Sequence, residues 1–167
     1  VTARTGDMSA PPIQEGSLDL LWSEGAIYNL GFRAGLQLWR PLLKPGGFLA
    51  VSDLTWLTAR RPDALTAHWE AAYPEVATAG AKLQVLEEGG FRPVGYFPLS
   101  PECWLGHYYD PLEARLPTFL ARHPGNSEAE ALAADEREEI ALYRAHQPYV
   151  SYGFYIAQRC AGTAFDP

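Results

Sequence analysis

The stretch LLKPGGFLAVSD, at residues 42–53, predicts the end of a helix followed by the start of a buried strand. Pro45 cannot donate a backbone hydrogen bond to a helix, and Gly46 and Gly47 are typical of helix ends. The apolar run FLAVSDL, at 48–54, has the composition of a strand that is buried on both faces. This succession of helix, turn and buried strand is typical of an α/β fold.

Helices and strands alternate on both sides of this stretch. LDLLWS, at 18–23, predicts another strand buried on both faces, and GFRAGLQLWRPLL, at 31–43, repeats apolar residues at helical spacings of four, three and four. The patterns that follow predict two helices and two strands, at 62–73, 78–90, 91–99 and 149–160. Pro93 indicates that the first of these two strands lies near a sheet edge. Such alternation predicts parallel βαβ units, whose ligands bind beyond the carboxyl ends of the strands.

The segment between the last two strands, at about 101–147, is far longer than a hairpin loop. Asp110, with Pro111 after it and Glu113 at the third helical position, is typical of a helix start. Ser127 opens a second start with the pattern of a capping box. We therefore expect a helical insertion here.

Composition limits the classes of function. The chain has 167 residues, of which 47% are hydrophobic and 13% aromatic, as expected for one globular domain. A formal net charge of −7 argues against nucleic acid as a partner, because phosphate binding needs an excess of Lys and Arg. No apolar run approaches the roughly 18 residues of a membrane span, and no signal peptide is recognisable. We expect a soluble, cytoplasmic protein that does not bind membranes.

Cysteine and histidine patterns give no indication of a metal site. Cys103 and Cys160 lie far apart without a CxxC pair, and the four histidines are scattered without an HExxH motif. We expect reduced thiols and no bound metal.

The beginning of the chain reads as the interior of a protein. VTARTGDM, at residues 1–8, has the pattern of a strand leading into a loop, with no start or cap signal before it. The interpretation is that the chain is a fragment of a longer polypeptide.

Five pieces follow one another in a characteristic order: VTARTGDM, GSLDLLWSEGAIYN, LLKPGGFLAVSD, GYFPL and YGFYIAQR. In this order they resemble the second half of a class I S-adenosylmethionine-dependent methyltransferase. WSEGAIYN, LKPGGFLAVSD and ECWLGHYY are also similar to a group of small bacterial methyltransferases of mostly unassigned substrate. The resemblance implies a Rossmann-like sheet, mostly parallel with an antiparallel last strand, and S-adenosylmethionine as cofactor.

The chain also departs from this family. The family's glycine-rich loop after its first strand has no counterpart, because no GxG occurs in the sequence, and the acidic residue that ends the second strand is missing too. Residues 1–167 are therefore interpreted as the C-terminal portion of one methyltransferase domain, with the N-terminal strands absent. The strand at 18–23 should then be an exposed sheet edge.

The resemblance implies that Asp7 and Met8 bind the adenine end of the cofactor. In the family a carboxylate at this position accepts the adenine amino hydrogen, and the next residue meets the ring. The alternative is an Asx turn, which such a dipeptide often forms.

The resemblance assigns the methionine end of the cofactor to Ser23, Glu24 and Gly25. Glu24 could bind the ammonium group, orient a cationic substrate or accept a proton, and Gly25 would permit close approach. The alternative is an exposed Glu at a turn, or one that caps the following helix. Tyr28 and Asn29 are weaker candidates for substrate contact, because an aromatic residue here can be core and an Asn can be a cap.

The long segments after the strands are candidates for a substrate lid over the cofactor side. Five of their side chains would line an apolar pocket with polar tips, namely Trp56, Trp104, His107, Tyr108 and Tyr109. His107 is the candidate proton acceptor. The alternative is that these aromatic residues pack the inserted helices together and that His107 is structural.

The predicted function is methyl transfer from S-adenosylmethionine to a small molecule. Two alternatives stay open: a non-catalytic fragment that binds no cofactor alone and associates with its missing half, or a different doubly wound, nucleotide-dependent enzyme. The expected protein partner is a second copy of the chain or the missing N-terminal half.

Overall fold

One mixed sheet organises the computed structural model, which describes residues 2–161. Its five strands are β1 (Leu18–Ser23), β2 (Leu43–Trp56), β3 (Ala77–Thr78), β4 (Phe91–Pro98) and β5 (Val150–Arg159). The strand order is β1-β2-β5-β4, and β3 pairs with the carboxyl end of β2. β1 and β3 run parallel to β2, whereas β5 is antiparallel to both β2 and β4. The predicted α/β class and the antiparallel last strand are confirmed for these residues.

Six helices accompany the sheet. They are α1 (Phe32–Trp39), α2 (Asp63–Ala72), α3 (Ala79–Glu88), α4 (Pro101–Trp104), α5 (Asp110–Arg122) and α6 (Ser127–His146). A π-helical turn, Leu105–Tyr109, joins α4 to α5, and 3-10 turns occupy Ile27–Asn29, Arg40–Leu42 and Gln147–Tyr149. The predicted insertion at 101–147 is therefore helical. Among residues 2–161, no helix combines the length and apolar character needed to cross a membrane.

The KPGG sequence forms a bulge at the start of β2. Leu43 pairs with Leu18, but the next pair joins Phe48 to Leu20, so four residues of β2 loop out between the two pairs. Gly46 has a φ of 79°, and a Cβ at Gly47 would lie 3.0 Å from the carbonyl oxygen of Leu18. Glycine is needed here because the loop turns sharply against the neighbouring strand.

The two faces of the sheet carry separate cores, as alternate side chains along a strand require. On one face, α1 and α3 cover the strands with a cluster that includes Leu36, Leu49 and Tyr155. On the other face, α2 and the helical insertion cover only the carboxyl half of β2, around Trp56 and Trp104.

The remaining part of that second face is exposed. Leu20 and Trp22 of β1 are 47% and 61% exposed, and Phe48 of β2 and Phe97 of β4 are partly uncovered as well. The prediction that β1 is buried on both faces is thus wrong, because nothing within residues 2–161 packs on this side of it. The predicted exposed edge at 18–23 is confirmed in the described part of the sheet.

Two other local predictions are wrong. Residues 2–8 form no strand, although VTARTGDM was expected to be a strand leading into a loop. The capping residues also differ: the chain is already helical before Asp110, and Asn126 rather than Ser127 caps α6, accepting hydrogen bonds from the backbone N–H groups of Glu128 and Ala129.

Candidate active site

A cavity of about 460 Å³ opens at the carboxyl ends of β1 and β2. Gly25 lies where the chain leaves β1, with a φ of 53°, and its N–H donates to Ser52 Oγ of β2 at 2.8 Å. This hydrogen bond holds the loop after β1 against the neighbouring strand. The opposite walls come from α2 and from the helical insertion, which closes over the strand ends.

Aromatic residues make up half of the lining. Six of them line the cavity, namely Tyr28, Trp69, Tyr73, Trp104, Tyr108 and Tyr152. The other lining residues are Gly25, Leu54, Ala72, Leu99, Cys103 and Glu139. Glu139 is the single charged residue among them.

Trp104 is fixed by its neighbours. Its ring stacks between Tyr143, at a centroid distance of 4.8 Å, and Tyr152, at 5.0 Å. Its indole Nε1 donates to Ser151 Oγ at 3.0 Å, and that hydroxyl donates to the carbonyl of Leu99 at 2.8 Å. The hydrogen-bond chain ties α4 to β5 and holds Trp104 in this wall of the cavity.

Glu139, from the middle of α6, places a carboxylate on the cavity wall. Tyr109 OH donates to Glu139 Oε1 at 2.8 Å, and Glu139 Oε2 lies 4.0 Å from His68 Nε2. Burial raises the pKa of the Tyr109 phenol far above its ordinary value, with Glu139 adding to the effect. Burial likewise raises the pKa of Tyr152 to about 12. Both phenols are therefore neutral near pH 7.

A buried ion pair lies beneath the site. Lys82 Nζ of α3 binds Asp53 Oδ2 of β2, and Tyr73 OH donates to the same oxygen at 2.9 Å. Asp53 is fully buried and Lys82 is 2% exposed. Burial raises the pKa of the Asp53 carboxyl and lowers that of the Lys82 ammonium, and the mutual attraction opposes both changes. Through Tyr73, the ion pair positions one wall of the cavity. Sequence patterns missed this pair, because Lys82 reads as an ordinary polar residue of an amphipathic helix.

Of the three cofactor candidates at the end of β1, only one lines the cavity. Gly25 lines the cavity, whereas Glu24 is exposed and its carboxylate accepts a hydrogen bond from the indole of Trp22 on the uncovered face. Ser23 is half-buried at the last position of β1. Glu24 does not cap the following 3-10 turn, which has no side-chain cap.

The adenine candidates lie on the loop before β1. Ser9 donates two hydrogen bonds to Asp7 Oδ1, from its backbone N–H at 2.8 Å and from its hydroxyl at 2.7 Å, and these hold the pKa of the exposed Asp7 carboxyl below its usual range. Met8 packs on the core that includes Leu36 and Leu49, and its carbonyl accepts a hydrogen bond from Trp39 Nε1. This arrangement is an Asx turn that leaves Asp7 Oδ2 open to solvent.

The predicted substrate contacts divide into those that line the cavity and those that do not. Tyr28 lines it, whereas the Asn29 side chain donates back to the carbonyl of Ala26 at 3.0 Å. Of the lid residues, Trp104 and Tyr108 line the cavity and Tyr109 lies fully buried behind it.

The other two lid candidates lie elsewhere. Trp56 is buried in the core that also contains Trp104. The guanidinium carbon of Arg61 lies over the Trp56 ring, 4.1 Å from the ring centroid. His107 lines a separate groove between α5 and α6. The described residues contain no group of three His, Cys, Asp or Glu side chains able to hold a metal ion.

The fit of S-adenosylmethionine to these residues is partial. Gly25 leaves the backbone accessible at the end of β1, and Asp7 keeps one carboxylate oxygen free, so that one side of the cofactor has suitable contacts. The sequence offers no glycine-rich loop for the other side.

Solved structures with the same fold include S-adenosylmethionine-dependent methyltransferases. The enzyme from Geobacter sulfurreducens, in complex with S-adenosyl-L-homocysteine, matches with a TM-score of 0.75 and 17% identity over 93% of this chain and 63% of its own. The enzyme from Thiobacillus denitrificans, also with S-adenosyl-L-homocysteine, gives 0.73 and 18% over 91% and 62%. The [4+2]-cyclase SpnF gives 0.70 and 17% over 95% and 56%.

The chain therefore shares its fold with part of each of these three proteins, and it spans less than two thirds of the length of each. No protein-family model and no curated protein matches it in sequence. The presence of a cyclase among the similar structures means that the fold alone does not determine the reaction.

Proposed function

We propose that the chain is part of an S-adenosylmethionine-dependent methyltransferase that acts on a small molecule. The observation that carries this proposal is the cavity at the carboxyl ends of β1 and β2, where open α/β sheets bind their ligands. The strand order and the fold shared with methyltransferases support it. The cavity volume of about 460 Å³ lies in the ordinary range for small-molecule sites.

The residues divide into two groups in this proposal. Asp7, Met8 and the segment Ser23–Gly25 would hold the cofactor, which supplies an activated methyl group when bound. The cavity beyond Gly25 would hold the acceptor, aligned by aromatic walls and shielded from water by the helical insertion.

We also propose that the cofactor site is completed by a segment outside this chain that carries the glycine-rich loop. The missing GxG motif and the greater length of the similar structures support this. The same segment, or a second copy of the chain, would cover the exposed sheet face around Trp22. In the alternative reading the chain alone is a non-catalytic fragment.

Calorimetry with S-adenosylhomocysteine tests the proposal on two samples, this chain and a longer polypeptide that includes it. We expect weak or no binding by the chain alone and clear binding by the longer polypeptide. Tight binding by the chain alone would contradict the incomplete site. Absence of binding by the longer polypeptide would contradict the methyltransferase assignment.

A further inference from the structure

The one charged residue that lines the cavity is negative. The cavity's polar and charged groups are phenols, the indole N–H groups of Trp69 and Trp104, one thiol and the carboxylate of Glu139, and no Lys or Arg is among its lining residues. The faces of the aromatic rings carry partial negative charge, so that several rings around one space attract a cation. The cavity therefore favours a positively charged guest over a neutral or anionic one.

Glu139 has one carboxylate oxygen available for such a guest. Oε1 is engaged by Tyr109 OH at 2.8 Å, whereas Oε2 accepts no hydrogen bond from the described residues and lies 4.0 Å from His68 Nε2. The Glu139 side chain is 29% exposed, so that Oε2 stays open to the cavity. A cationic N–H donor in the cavity would give this oxygen a charge-assisted hydrogen bond.

The rings that line the cavity together with Glu139 can pack against a hydrocarbon body. Both faces of Trp104 are covered, by Tyr143 and Tyr152, so that it contributes its ring edge, and Tyr28 meets Tyr73 edge-on at 6.2 Å. The cavity volume of about 460 Å³ exceeds what an ammonium group alone would fill. There is room for an apolar portion beside the charged one.

We propose that this cavity binds an amine with an apolar body as its ammonium cation, with the nitrogen at Glu139 Oε2 and the body against the aromatic rings. This names the class of methyl acceptor, and that role rests on the proposed function: the bound ammonium must first give up a proton to become a nucleophilic amine, and Glu139 Oε2 is the proton acceptor that faces it. The cation site itself does not depend on that role.

The test compares two probes of nearly equal shape, phenethylamine and phenethyl alcohol, by calorimetry with this chain. We expect the cationic amine to bind about tenfold more tightly than the neutral alcohol, because only the amine engages both the carboxylate and the ring faces. Equal binding of the two probes, or no binding of the amine at millimolar concentration, would overturn the proposal.

Two charge variants locate the site. Glu139→Gln keeps an acceptor for Tyr109 but removes the charge, and should weaken phenethylamine binding about tenfold while leaving phenethyl alcohol unaffected. Glu138→Gln is the matched control, because it removes an equal charge from an exposed position of the same helix. Similar losses in both variants would show that only the net charge matters.

Two ring variants test the aromatic contribution. Tyr108→Phe keeps a ring at the cavity wall and should leave amine binding within about twofold, whereas Tyr108→Leu should weaken it about threefold. Equal effects of the two changes would contradict a role for the ring face. Binding of S-adenosylhomocysteine is measured separately, so that failure of the cofactor proposal and failure of the amine proposal are distinguishable.

Discussion

Lys82 is a cation held almost entirely out of water. Besides its contact with Asp53, its Nζ lies 4.6 Å from the ring centroid of Phe32 and 5.2 Å from that of Tyr73. A buried ion pair of this kind is not a large source of stability in itself, because desolvation offsets the attraction. Its loss is nevertheless costly when only one partner is removed.

We expect Lys82→Met to lower the free energy of unfolding by about 3 to 5 kcal/mol near pH 7, because Asp53 is left as an uncompensated buried charge. Without Lys82, burial raises the pKa of Asp53 further, so the loss should shrink as acid protonates the carboxyl. Urea denaturation at two pH values measures both effects. Lys44→Met is the control: its pair with Asp19 is exposed, and the expected change is below about 1 kcal/mol. Similar losses in the two variants would contradict this account.

Glu24 carries the sharpest prediction about the cofactor. In a polypeptide that binds S-adenosylhomocysteine, Glu24→Gln should weaken cofactor binding or turnover at least tenfold, because the proposed partner of the methionine end loses its charge. Stability should hardly change, since Glu24 is exposed and the amide can still accept from Trp22. Calorimetry and thermal unfolding of the same variant provide the two readings. A large loss of stability with unchanged binding would mean that Glu24 is structural.

At the scale of elements, the N-terminus of α6 allows the predicted cap, Ser127, to be tested against the observed cap, Asn126. Asn126→Ala should destabilise the protein by about 1 kcal/mol, because the N–H groups of Glu128 and Ala129 lose their acceptor. Ser127→Ala, at the position that the sequence favours, should have almost no effect. Urea unfolding followed by circular dichroism measures both. A larger loss from Ser127→Ala would restore the capping-box interpretation.

Most helices and strands were predictable from the sequence, because the spacing of apolar residues distinguishes a helix from a strand and indicates which of its faces is apolar. The helices α1, α2 and α3 and the strands β2, β4 and β5 agree with their patterns, and Pro93 lies on an edge strand as expected. Periodicity does not report which partner covers an apolar residue, and so Trp22 was expected to be buried.

The candidate site was predictable in location but not in composition. The alternation of elements indicates the carboxyl ends of the strands, and Gly25, Tyr28, Trp104 and Tyr108 do meet there. Glu139 could not be found, because it is one of many acidic residues on a helix whose rotation about its axis depends on tertiary packing.

For the whole molecule, the exposed part of the sheet is the main liability. Trp22 contacts Phe154 edge-on at 5.7 Å, and Phe97 stacks on Phe154 at 5.1 Å, so that an apolar stripe crosses from β1 to β4. Such a stripe beside an unpaired strand edge favours association.

We expect this chain to self-associate as its concentration rises and Trp22→Lys to reduce that association, because a charge on the stripe opposes its burial. Sedimentation velocity over a concentration series measures the effect. Leu132→Lys is the control, since Leu132 is 51% exposed on α6, away from the stripe. A monomeric parent chain, or equal effects of the two variants, would contradict this prediction.

The position of β5 has a consequence for folding during synthesis. Within residues 2–161, β4 (Phe91–Pro98) pairs only with β5, which is made some fifty residues later and must enter between β2 and β4. Until Arg159 has left the ribosome, the sheet ends at β2, and the aromatic residues of the insertion can pack on β2 but not on β5. Pairings so distant along the chain close slowly. The nascent chain thus passes through a long interval in which its most apolar surfaces are unprotected, and in which chaperones would be expected to act.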